Sequence, residues 1–337
     1  MSARHVVLIT YGEPPTPSFT SQLRYSWRIL LGLTRAVASI PAWVLPMIAV
    51  SRARTRHRLW SSERYGSPLE AITRAQAELM RESLAAAAPR ERWEVHVAYE
   101  FRDPSLPRLL DRIPADERVD VVPLYVADSA FTHEISRATL RRHGARARRA
   151  PVRVAPALDA DTCAAVATGH IEREIAARGV GGPEWALVLA AHGTLLEPPR
   201  PMETGRVATE RVYAGIAARL RDRFGMIQNA WLNHVYGGRW TEPAVDVALR
   251  RVVEAGYRRV VYLPYGFMAD NAESELEGRI ALRAQPALEA VHLPCPNVDP
   301  ELMRALARRV LEGEAGDRAP ANQRASPVAE AFVGRML

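Results

Sequence analysis

Ala186-Leu187-Val188-Leu189-Ala190-Ala191-His192-Gly193-Thr194 is the stretch whose reading decides the fold. Six apolar residues in a row suit a strand buried on both faces, as in a parallel sheet covered by helices. The run Val260-Val261-Tyr262-Leu263 has the same character. Outward from these two, short β-branched runs alternate with longer amphipathic segments. Strands are expected at 6–10, 94–99, 119–125, 152–155, 186–191, 227–232, 259–263 and 288–292. Helices are expected at 68–88, 104–113, 132–143, 161–177, 206–223, 243–255, 272–281 and 300–311. The first of these helices starts with Ser67 as cap and Pro68 at its first position. Strands alternating with helices imply an α/β protein with parallel sheets. The pattern repeats, so we expect two Rossmann-like doubly wound domains, 1–156 and 157–312, joined near 156–160. The first carries an apolar lip at about 20–50, and 313–337, rich in Ala, Pro, Arg and Gly, reads as a disordered tail.

Ligands of doubly wound sheets bind at the carboxyl ends of the strands, so each strand end is a candidate site. His192 ends the deciding strand, where an imidazole can serve as base or metal ligand near neutral pH. Gly193 behind it lets a flat ligand approach the backbone. The strand at 259–263 continues through Pro264-Tyr265-Gly266-Phe267-Met268 to Asp270, Glu273 and Glu277. On one helix those carboxylates share a face at i, i+3 and i+7. They then either raise one another's proton affinity or form a solvated face. Tyr11-Gly12-Glu13-Pro14 closes the first strand and offers a phenol to the same region.

Composition narrows the function classes. Of 337 residues, 48% are apolar and 25% charged, the balance of a globular chain. Cys163 and Cys295 are too few and too far apart for a disulfide framework or a cysteine metal site, which fits a reducing cytoplasm. The net charge of +7 comes wholly from arginine, which favours carboxylate-bearing ligands. The densest basic run, Arg141 to Arg153, lacks interleaved aromatics and reads as a solvated surface; no nucleic-acid partner is expected. The apolar run at 36–51 is shorter than the ~20 residues of a membrane span. Flanked by Trp27, Arg52, Arg54 and Arg56, the 27–56 segment reads as a lip over an apolar ligand or as a peripheral membrane contact.

In fixed order these motifs resemble the ferrochelatases over residues 5–311. Tyr11-Gly12-Glu13-Pro14 is similar to the family's opening turn, and Tyr65-Gly66-Ser67-Pro68-Leu69 to the start of its first long helix. Val122-Pro123-Leu124-Tyr125 with Ser129 resembles its serine-rich turn. Ala191-His192-Gly193 resembles its metal-site segment, Arg223-Phe224-Gly225 its next strand, and Pro264-to-Glu273 its most diagnostic stretch. Pro294-Cys295-Pro296-Asn297 resembles its closing loop.

The resemblance implies a chelatase-like cleft between two lobes and insertion of Fe²⁺ into coproporphyrin III or protoporphyrin IX in haem biosynthesis. Two protons are released, and no organic cofactor is needed, Fe²⁺ being substrate. It implies His192 and Glu273 as the proton-accepting and metal-handling pair, on opposite faces of the ring, with Asp270 and Glu277 as an acidic path. Tyr11 is placed near the iron, which favours coproporphyrin, and Arg28, Ser67 and Ser129 contact the porphyrin. Glu100, Asn271 and His234 depart from the family's common residues, and 237–240 resembles an insertion. Two other readings compete. One is a chelatase loading Co²⁺ or Ni²⁺ into a sirohydrochlorin-type ring; the other is a non-catalytic haem- or porphyrin-binding protein. The sequence sets no oligomeric state.

Overall fold

The computed structural model describes residues 3–36, 41, 43–144, 148–198, 201–233 and 238–318. Its first half runs β1 (Arg4–Thr10), α1 (Phe19–Ala36), α2 (Leu45–Ser62), α3 (Leu69–Ala87), β2 (Trp93–Tyr99), α4 (Leu106–Leu110), β3 (Arg118–Pro123), α5 (His133–His143) and β4 (Val152–Val154). Its second half runs α6 (Ala160–Arg178), β5 (Gly182–His192), α7 (Arg206–Leu220), β6 (Phe224–Leu232), α8 (Val245–Glu254) and β7 (Arg259–Leu263). A π-helix (Ala272–Glu277), α9 (Gly278–Arg283), β8 (Glu289–His292) and α10 (Pro300–Arg318) follow. Each expected strand is present.

The two sheets share one topology. The first is ordered β2-β1-β3-β4 and the second β6-β5-β7-β8, with the pairings parallel. In each, the chain leaves its first strand to one side and returns on the other. That reversal opens a crevice at the carboxyl ends of β1 and β3 in one lobe and of β5 and β7 in the other.

The alternation of the buried strands explains the layers. Leu187 and Leu189 face one side of β5, Val188 and Ala190 the other, and all four are fully buried. Leu187 and Leu189 join Val6 and Leu8 of β1, Met80 and Leu84 of α3 and Val310 of α10 in a single apolar cluster. The lobes therefore share a core, and the join near 156–160 divides topology rather than packing. The outer face of the first sheet packs Val7 and Ile9 on Leu106, Leu110 and Leu140. The outer face of the second packs Val188 and Ala190 on Leu249 and Val252.

Three expectations change. Helix α10 continues to Arg318, so 313–318 is helical; the rest of the expected tail, 319–337, lies outside the described residues. The helix crosses back to the first lobe, where its Val310 carbonyl accepts from Arg153 at 2.5 Å. The basic run is likewise not simply solvated. Arg153 also pairs with buried Asp120, and Arg148 donates to the carbonyls of Leu110, Ile113 and Pro114. Finally, the lip is two helices, α1 and α2, packed through Leu30, Leu45 and Ala49. No helix among the described residues is long and apolar enough to cross a membrane.

Candidate active site

Gly266 sets the geometry of the second lobe. After β7 the chain crosses the end of β5, where Gly266 N–H donates to the Ala190 carbonyl at 3.1 Å. A Cβ there would lie 2.7 Å from Ala191 Cα, a clash with backbone that cannot move aside. This close passage lets the chain turn over His192 before starting the π-helix. Asn271 starts that helix: its side-chain oxygen accepts from the N–H groups of Glu273 (2.9 Å) and Ser274 (3.2 Å). Ser274 Oγ accepts from Asn271 N–H in return, completing a capping box. The family departure at Asn271 thus acts locally as a cap.

The result brings His192 and Glu273 into direct contact, Nδ1 to Oε1 at 2.5 Å. The second carboxylate oxygen of Glu273 accepts from Asn233 Nδ2 at 3.4 Å. Contact this short leaves no room for a macrocycle between the two side chains, so in place of the expected opposite-face arrangement the two stand together. Burial lowers the proton affinity of His192, but the Glu273 carboxylate outweighs it, and the net value is raised above that of a free imidazole. The ring is still 46% exposed, so its other nitrogen is accessible. Glu277, one turn on, is pushed up to about 8 by burial and then by the charge of Glu273. It therefore holds a proton at neutral pH.

Asp270 is not part of this group. Asn271 caps the helix, so Asp270 falls in the preceding loop, where its carboxylate accepts from Cys295 N–H (2.9 Å) and Asn297 Nδ2 (2.7 Å). It clamps the closing loop to the strand end. The wider turn of the π-helix, with its i→i+5 pattern, leaves Glu273 and Glu277 as the acidic pair.

The first lobe brings its own groups to the end of β1. Gly12, at φ +73°, turns the chain after β1 and passes so close to Tyr99 that no Cβ fits. Tyr11 stacks on Phe101 and tilts against Tyr125, and its hydroxyl donates to the Phe131 carbonyl at 3.0 Å. Burial, then the Glu100 and Glu273 carboxyls, hold its phenol well above the usual range, so it stays protonated. Glu100, pushed up to about 8 by burial, accepts from Tyr125 OH at 3.0 Å.

The other expected contact residues have partners within the chain. Ser67, 8% exposed, donates its hydroxyl to Glu13. Ser129, 5% exposed, is bound within its own turn by Thr132 Oγ1 and Phe131 N–H. Arg28 sits on the exposed face of α1, paired with Asp103 at 3.1 Å. Sequence reasoning missed Glu13, which is buried and joins the lobes. Its carboxylate accepts from Ala272 N–H at 2.8 Å, at the start of the π-helix, and from Arg56 at 3.3 Å. It also missed Asn233 and the inward turn of Arg52, whose value is lowered by burial and by Arg56 while Glu273 and Glu277 raise it. Asn233 follows β6 directly, so the strand-end rule was the available signal.

A sequence model of the ferrochelatase family matches residues 4–314. The chain belongs to the ferrochelatase family. The ferrochelatase of Stenotrophomonas maltophilia is 28% identical over 326 residues, which cover 90% of this chain and 95% of that one. The ferrochelatase of Bradyrhizobium diazoefficiens is 28% identical over 286 residues, 79% of this chain and 80% of its own. Among solved structures, SirB from Bacillus subtilis, determined with Fe³⁺, superposes with a TM-score of 0.53 at 12% identity, covering 94% of this chain and 97% of that one. A multi-domain Deinococcus radiodurans protein, similar to chelatases, superposes at 0.51 and 17% identity; 95% of this chain matches 56% of it. The structural likenesses bear out the chelatase fold. Family membership makes this ferrochelatase an enzyme of the metal-inserting lyase class, acting in haem biosynthesis.

Proposed function

We propose that this ferrochelatase inserts Fe²⁺ into coproporphyrin III, with His192 and Glu273 working together from one side of the ring and Tyr11 on the other. The 2.5 Å contact between His192 and Glu273 at the switch point of the second sheet carries this reading. A porphyrin must give up two pyrrole protons for each divalent ion it takes. His192 has a raised proton affinity and an accessible ring nitrogen, the properties of a proton acceptor, and Glu273 stabilises the imidazolium that forms. Glu277, already protonated behind the pair, passes protons on by releasing its own as it takes the next. Imidazole and carboxylate together also suit a borderline ion such as Fe²⁺.

The helices of the lip would grip the ring. Bending it exposes the nitrogen lone pairs, and binding can impose roughly 1–5 kcal/mol of such strain. Trp43 and Met47, 76% and 66% exposed, give the lip an apolar surface for the ring or for peripheral contact with a membrane. Arg28 at the rim is the candidate propionate contact, exchanging Asp103 for a substrate carboxylate.

The test is an anaerobic assay of the purified chain with Fe²⁺ against coproporphyrin III and protoporphyrin IX, with Co²⁺, Ni²⁺ and sirohydrochlorin in parallel. Metallation of coproporphyrin at least tenfold faster than of protoporphyrin is expected. A preference for sirohydrochlorin, or porphyrin quenching without metallation, would overturn the reading.

A further inference from the structure

A second group of metal-ligand side chains lies at the opposite end of the first sheet. His5 on β1 pairs in register with Glu94 on β2, and His96, two residues on, points to the same face. Their nitrogen and carboxylate donors all lie within 4.8 Å of one another. His5 Nδ1 faces His96 Nε2 at 2.9 Å, with the ring planes only 22° apart. Glu94 Oε2 stands 3.7 Å from the same His5 nitrogen, while its other oxygen takes Arg92 at 2.7 Å.

A supporting group is already in place. Glu117 accepts from His5 Nε2 at 2.6 Å and from Ala3 N–H at 3.1 Å. A carboxylate at Nε2 keeps the proton there and leaves the Nδ1 lone pair aimed at His96, as in carboxylate–histidine–metal triads. His5 is 3% exposed, whereas the Glu94 side chain is 35% exposed, so an ion has a way in. Two imidazoles on one tetrahedral ion sit ~3.3 Å apart, given a metal–nitrogen distance of 2.0–2.1 Å. To admit one, the pair separates by about half an ångström and His96 moves its Nε2 proton to Nδ1, which frees the lone pair facing His5.

We propose that His5, His96 and Glu94 form a second divalent-cation site, suited to Zn²⁺, oriented by Glu117 and remote from the catalytic pair. Five residues of β1 lie between His5 and Tyr11, a path of about 20 Å along the strand. An ion there staples β1 to β2 and to the turn before β3, and takes no part in the reaction.

Co²⁺, used as a spectroscopic stand-in for Zn²⁺, separates the two centres. The full chain carrying His192→Ala, stripped of metal with chelator, is titrated with Co²⁺. One equivalent with tetrahedral visible bands is expected, displaced by Zn²⁺. Adding His96→Ala should weaken it at least 100-fold, while chelation by the His96→Ala single variant stays within twofold of wild type. Should His96→Ala fail to fold, Glu94→Gln and Glu117→Gln, which keep side-chain volume, should each weaken binding ~10–100-fold. No bound equivalent in His192→Ala, or unchanged affinity in the folded His96→Ala or Glu94→Gln protein, overturns the site.

Discussion

The two lobes repeat one strand order, yet the ends of their first strands carry different chemistry. At the end of β5 the second lobe presents an imidazole already bound to a carboxylate, with a protonated carboxyl behind it. At the end of β1 the first lobe presents a half-buried phenol, with a protonated carboxyl in its surroundings. One wall can change protonation near neutral pH; the other is held neutral. Duplicated topology therefore fixes where a ligand sits, while the residues after each strand fix what each wall does to it.

Removing the imidazole breaks the comparison most severely. His192→Ala should lower the chelation rate at least ~1,000-fold, since it deletes the proposed proton acceptor, while porphyrin still quenches on binding. Turnover within tenfold of wild type would place the proton acceptor elsewhere.

Glu13 tests how the walls are held in register. It is 6% exposed, and it links Arg56 and Ser67 of the first lobe to the first turn of the π-helix. Glu13→Ala strands a buried N–H and a half-buried guanidinium. Unfolding free energy should fall by about 2–4 kcal/mol, read by denaturant titration. The chelation rate should fall ~10-fold or more, because the Glu273 carboxylate loses its placement. A stability loss without a rate loss would make the contact purely structural.

These contacts also mark the limit of what the sequence reveals. All the strands, and the strand ends bearing His192 and Tyr11, follow from local pattern, because two-sided burial leaves an unbroken apolar run. The Glu13 bond joins residues 259 apart, and no periodicity reports that. The acidic stripe shows the intermediate case. Spacing on an ordinary helix grouped Asp270 with Glu273 and Glu277, whereas Asn271 caps a π-helix that begins at Ala272 and leaves Asp270 in the preceding loop, bonded to the closing loop. The His5–His96 pair was equally hidden, since register between β1 and β2 decides it.

The proton affinity of His192 sharpens the comparison further. Its rise rests on Glu273, against a burial effect of opposite sign. By NMR titration the imidazole should change charge above pH 6.5 in wild type and shift downward in Glu273→Gln. The acid limb of the rate profile should follow. Asn233→Ala, which removes a longer hydrogen bond to the same carboxylate, should cost only ~3–10-fold in rate.

The smallest effect belongs to the neutral wall. Burial pushes Glu100 up to about 8, whereas in the unfolded chain it titrates near 4.5. Between those values the folded protein keeps a proton that the unfolded chain releases, so stability is fully present below about pH 4.5 and falls as pH rises to about 8. Glu100→Gln carries no titrating proton and should be less pH-dependent across that window, by about 1–3 kcal/mol in total. Glu277, raised to a similar value, keeps part of the slope in the variant. Denaturant midpoints at pH 5 and pH 8 measure the difference. An unchanged pH dependence would mean that Glu100 is ionised at neutral pH. The first lobe would then present a charge to the ring, and the contrast between the two walls would disappear.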